Sequence, residues 1–123
     1  MAADRLGILL ISGGHERAHY AFVLASGAAA IGRQVVLFAT NQGCQALLAD
    51  LGVFGPEDDS VMARGVAGLV ELRAAAAELG VRMIACEAGL RLAGIAADLA
   101  QNVEIAGVVT FLEATHGAQV ISL

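Results

Sequence analysis

Lysine is missing from the 123 residues, and all seven basic side chains are arginine. That absence excludes a P-loop lysine, a Schiff-base lysine and a lysine general base. Tryptophan is missing too, and proline occurs once. Charged residues make up 15% of the chain, well under the roughly 25% of an average soluble domain. With a formal net charge of −5 there is no basic stripe to release counterions, so nucleic acid is not an expected partner. Two cysteines are too few for a disulfide framework, and in a cytoplasmic chain they are expected to be thiols. No stretch reads as a membrane span: the uncharged run 18–32 holds 15 residues, short of the roughly 20 that spanning requires. The run 6–11 is too short for a signal peptide.

What the chain does have is aliphatic and small. Hydrophobic residues reach 58%, and 26 residues are alanine, so Leu, Val and Ile must supply most of the core area. The excess suits either a deeply buried sheet or a surface partly hidden in an oligomer. The length suits one domain spanning 1–123.

Apolar residues fall into short runs separated by glycine. Residues 6–11 are apolar on both parities and end at Ser12-Gly13-Gly14, as expected of a strand covered on both faces. Residues 15–31 read as a helix with Glu16 in its first turn and Gly32 just past its end. Residues 34–40 form a second buried strand, and Asn41 is placed to cap a short helix. The segment 52–60, with Pro56 and three acids, reads as a loop, with Ser60 the N-cap of a helix over 61–79. Met62, Val66, Leu69, Val70 and Leu72 form its apolar stripe. A third strand follows over 81–86, then two short helical pieces, 87–94 and 95–101. Strands are expected at 103–106 and 119–123, while 108–115 fits either strand or helix. This alternation indicates a parallel sheet with helices on both faces.

In such sheets ligands bind beyond the carboxyl ends of the strands. Three segments reach that edge: Ser12-Gly13-Gly14-His15, Thr40-Asn41-Gln42-Gly43-Cys44 and Cys86-Glu87-Ala88-Gly89. Cys86 is the sharpest candidate, because a strand-to-helix junction offers free N–H groups and a positive dipole end to a thiolate. Arg91 is a candidate support for that thiolate, and Cys44 a candidate resolving thiol. The bland alternative for each cysteine is a small buried apolar residue. Ser12, Gly13, Gly14, His15 and Asn41 are candidates for a turn that holds an anion or small ligand. The turn lacks G-x-G-x-x-G spacing, and no acid closes the second strand for a ribose. His15-Glu16-Arg17-Ala18-His19 spells H-E-x-x-H, but no third ligand follows within reach, so neither a metal nor an organic cofactor is expected.

The strand ending Gly80-Val81-Arg82-Met83-Ile84-Ala85-Cys86 and the block Val103-Glu104-Ile105-Ala106-Gly107-Val108-Val109-Thr110-Phe111-Leu112 resemble the DsrE/DsrF-like family, including its branch labelled peroxiredoxin-like. No T-x-x-C peroxidatic segment accompanies them. The resemblance implies a three-layer α/β/α fold of flavodoxin-like type with a five-stranded, largely parallel sheet, and a helix after Gly107. It also implies trimers or hexamers, and a cytoplasmic sulfur carrier or sulfurtransferase that holds a persulfide at Cys86 between donor and acceptor proteins. The alternatives are a non-catalytic ligand-binding or assembly module of the same fold and a thiol redox sensor.

Overall fold

The computed structural model describes residues 4–123. Strand β1 (Arg5–Leu10) leads through a tight turn into α1 (His15–Ala30), and β2 (Gln34–Ala39) follows. A 3₁₀ segment (Asn41–Leu47) and a shorter one (Gly52–Phe54) lead to α2 (Gly55–Ala63) and α3 (Leu69–Glu78). Then come β3 (Arg82–Cys86), α4 (Glu87–Ala93), β4 (Val103–Ala106), α5 (Val108–Ala114) and β5 (Gln119–Ser122). The five strands are ordered β4-β3-β2-β1-β5, and every pairing is parallel. This is the parallel α/β layout that the alternation of runs predicted, and the flavodoxin-like type that the family resemblance implied.

Strand parity divides the core in two. Leu6, Ile8 and Leu10 of β1, Val35 and Leu37 of β2, and Met83 and Ala85 of β3 share one core with α1 and α3. Helix α1 meets it through Ala18, Ala21, Phe22, Ala25 and Ala28, an i, i+3, i+4 pattern. Four of these five are alanine, so the helix can lie close to the sheet while Phe22 provides the bulk. The opposite face is thinner: Phe38, Ile84 and Cys86 pack there against Phe111 of α5. Among the described residues no helix is long and apolar enough to cross a membrane.

Several expectations change. Pro56 does not sit in a loop but in the first turn of α2, where its missing N–H costs nothing. Ser60 therefore lies inside α2 rather than at an N-cap. The helix expected over 61–79 is broken, because Gly65 adopts φ +78 and the chain restarts at Gly68. Of its expected stripe Leu69 is buried and Leu72 half-buried, while Met62, Val66 and Val70 stay exposed. Helical periodicity was read across a glycine that ends the helix.

Segment 95–101 is not helical either. Leu99 bridges Leu48, and Ala100 N–H donates to Leu47 O at 2.9 Å, so its backbone partners lie in the chain after β2. Arg73 of α3 donates to Ala46 O and Leu48 O at 3.0 and 2.6 Å, which ties the same stretch to the helical layer. Asn41 does not cap: Thr40 is the N-cap of the 3₁₀ segment, and Asn41, at φ 53, opens it in a conformation Asn tolerates.

Candidate functional site

Parallel pairing in the order β3-β2-β1 brings three chain exits to one edge: Cys86 from β3, Thr40 from β2 and Ile11 from β1. Cys86 is both the last residue of β3 and the N-cap of α4, with extended φ −70 and ψ 122. Its sulfur occupies the place usually taken by a Ser or Asp oxygen, accepting the Gly89 N–H at 3.4 Å. Charge on that sulfur would thus meet a backbone donor and the positive end of α4. The side chain lies on the α5 side of the sheet, in the cluster with Phe38 and Phe111, whose rings stack 5.0 Å apart. Only 7% of Cys86 is exposed.

The edge is drawn tight by glycines. A Cβ on Gly89 would collide with Thr40 Oγ1 and Asn41 N and lie 2.9 Å from Thr40 Cα, so α4 rests directly on the exit of β2. A Cβ on Gly43 would strike Leu10 O, and one on Gly13 would come within 2.6 Å of Gln42 Cβ. The 3₁₀ segment is thereby wedged between the turns after β1 and β3.

Arg91 is 79% exposed at its side chain and donates to Glu87 at 2.8 Å. The polar contact described for the Cys86 sulfur comes from Gly89 rather than from Arg91. Cys44 lies in the 3₁₀ segment, wholly buried in the α1-side core, with its thiol donating to Ala39 O at 3.4 Å. Burial pushes this thiol up to about 11; the Cys86 backbone N–H partly offsets the rise, and the nearby Cys86 thiol adds to it. The two cysteines are neighbours through the strand end, yet their side chains belong to cores on opposite faces. Native alkylation should accordingly be confined to Cys86, with Cys44 labelled only on unfolding. Peptide mapping after a maleimide pulse checks this; equal native labelling of Cys44 would contradict the burial argument.

The turn after β1 is already engaged. Ser12 N–H donates to Leu123 O at 3.4 Å, and Ile11 O accepts from Gly43 N–H at 2.9 Å. Gly14 is the N-cap of α1, with no side-chain cap, and its O accepts from Ala18 N–H at 3.2 Å. Asn41 accepts from Thr40 Oγ1 at 2.9 Å.

His15 turns away from the edge. Its Nε2 lies 2.5 Å from Asp58 Oδ1, both side chains being buried, and its ring stacks on His19 at 5.3 Å. His19 Nε2 in turn lies 2.8 Å from Ala67 O, so both imidazoles of the H-E-x-x-H sequence are spent on protein partners. Asp58 was missed by sequence reading, which counted it among the three acids of a loop. In fact it reaches across from α2 to accept the Leu69 and Val70 N–H groups at 2.8 and 3.3 Å, capping α3 from outside. The available signal was Gly65-Val66-Ala67-Gly68: a helix restarting after glycine has no cap of its own.

The fold and edge thus define a flavodoxin-like α/β domain with a cysteine capping the helix after its third strand. The profile of the DsrE/DsrF-like family matches residues 4–123, and the chain belongs to that family. Among solved structures, the YchN protein from E. coli is similar in fold, with a TM-score of 0.72. The match covers 97% of this chain and 98% of YchN at 15% sequence identity. No curated protein sequence matches the chain.

Proposed function

We propose that this chain is a small sulfur carrier, or sulfurtransferase-like subunit, whose Cys86 holds a persulfide. The family is associated with sulfur relay in general, and the observation that carries the reading is the Gly89 N–H directed at the Cys86 sulfur. The Cys86 thiolate, its proton released to solvent, attacks the outer sulfur of a donor persulfide. The donor S–S bond breaks as the Cys86 Sγ–S bond forms, and the donor leaves as a thiolate. An acceptor thiolate then attacks the outer sulfur, and Cys86 departs as a thiolate again. Each exchange is a displacement at sulfur with no net oxidation. The Gly89 N–H points at the sulfur that would carry the load.

Incubation with a persulfide donor should add the mass of one sulfur atom to Cys86, and a Cys86→Ala protein should gain none. Equal gain by the variant, or none by the native chain, ends this reading. Both thiols are free, which suits a reducing compartment such as the cytoplasm.

An assembly role rests on a separate observation. On the thin face, Val108, Val109, Leu112 and Val120 are all at least 47% exposed. So many aliphatic side chains near one short helix are unusual on a monomer's surface. We propose that copies of the chain cover this face in a trimer or hexamer. Sedimentation equilibrium should give a trimeric or hexameric mass that Val109→Asp reduces; a monomer at micromolar concentration would refute it.

A further inference from the structure

At the opposite, amino-terminal edge of the sheet, three adjacent strands begin with arginine. Arg5 opens β1, Arg33 immediately precedes β2, and Arg82 opens β3. All three line one cavity of about 410 Å³, whose walls also include Val36, Leu79 and Thr115. In a chain with seven cationic side chains and a net charge of −5, three in one cavity is a strong local reversal of sign. Among the described residues no carboxylate lines the cavity.

The three guanidinium groups are not equally occupied. Arg82 is held by Glu104 through bonds of 2.7 and 2.9 Å, so its charge is largely answered. Arg33 Nη2 donates only to neutral oxygens, Arg5 O at 3.2 Å and Gln119 Oε1 at 3.0 Å. Its Nε is sealed from solvent without any acceptor among the described residues. A buried unpaired N–H on a charged group is costly and asks for a partner. Among the described residues neither Arg5 nor Arg33 forms an ion pair with a carboxylate.

We infer that this cavity binds a small organic oxyanion, a phosphate or carboxylate borne on an apolar body. An oxyanion that draws the Arg33 fork from Gln119 satisfies Nε and Nη2 together, the bidentate geometry guanidinium favours. Arg5 supplies the second positive charge. Volume and walls point beyond a bare ion, since the cavity falls in the roughly 300–1,000 Å³ range of small-molecule sites and offers Val36 and Leu79 to an apolar group. The site lies across the sheet from Cys86 and is independent of the sulfur-carrier reading.

Two-dimensional ¹H–¹⁵N spectra of the full chain, titrated with phenyl phosphate, benzoate and inorganic phosphate at constant ionic strength, test this. Phenyl phosphate or benzoate should give saturable shifts at Arg5, Arg33, Gly80 and Arg82, including the Arg33 Nε–H, and whichever binds tighter identifies the headgroup. Arg33→Gln should weaken that binding roughly tenfold, and Arg64→Gln should leave it unchanged. If Arg33→Gln fails to fold, Arg5→Gln takes its place and should also weaken binding. Absence of saturable shifts with both organic probes, inorganic phosphate binding as tightly as either, or undiminished binding by a folded Arg variant would each overturn the inference.

Discussion

Asp58→Ala is expected to lower the unfolding free energy by about 3–5 kcal/mol, the cost of removing one partner from a buried charged contact. Asp58 is 5% exposed and joins three helices, accepting from Leu69 and Val70 of α3 and contacting His15 of α1 from its own place in α2. Alanine leaves two backbone N–H groups and an imidazole without their acceptor. For a domain of ordinary stability, about 5–15 kcal/mol, that loss brings the fold close to its threshold. Urea denaturation at fixed protein concentration measures it, and a change under about 1 kcal/mol would contradict the clamp.

The same carboxyl sets an acid limit. Burial raises its pKa, but the Leu69 N–H, the His15 side chain and the Val70 N–H together outweigh that and hold it below the usual carboxylate range. A carboxyl depressed in the folded state stabilises the fold above its unfolded pKa. That contribution fades as pH falls through the folded value. Native stability should thus drop more steeply on acidification than in the Asp58→Ala protein.

Gly89→Ala is the second large effect. The new methyl would overlap Thr40 Oγ1 and Asn41 N, and backbone cannot yield as a flexible side-chain tip can. Overpacking of this kind costs about 1–3 kcal/mol, with the upper end expected here. The consequence for Cys86 is more specific than the loss of stability. Moving α4 off the β2 exit also moves the only hydrogen-bond donor described for the sulfur. Under folding conditions the variant should therefore show a changed rate of Cys86 alkylation relative to the native chain. A folded Gly89→Ala protein with the native alkylation rate would detach Gly89 from the thiol's environment.

The sheet was legible because its signals are local and strong. Apolar runs at β1, β2 and β3, each closed by a polar or glycine-bearing turn, give parallel buried strands almost irrespective of their surroundings. The position of Cys86 at the end of β3 followed from the same runs. What escaped was whatever depends on partners distant in sequence. Asp58 looks like any acid near a helix start until α1 and α3 are seen on either side of it. The stretch 95–101 has helical composition but finds its hydrogen bonds at Leu47 and Asp98–Ala49 instead. Arg91 stands close to Cys86 along the chain, yet a carboxylate one turn back takes its guanidinium. Tertiary context outweighed spacing in the first two cases.

If Cys86 carries sulfur as proposed, the separation of the two thiols bears on how long it keeps its cargo. A persulfide beside a second accessible thiol is short-lived, since the neighbour can attack the inner sulfur, form an internal disulfide and expel the load as free sulfide. Here the second thiol is shut in the opposite core and resists ionisation, so that intramolecular leak is closed. Delivery from such a carrier would then fall to an outside thiol.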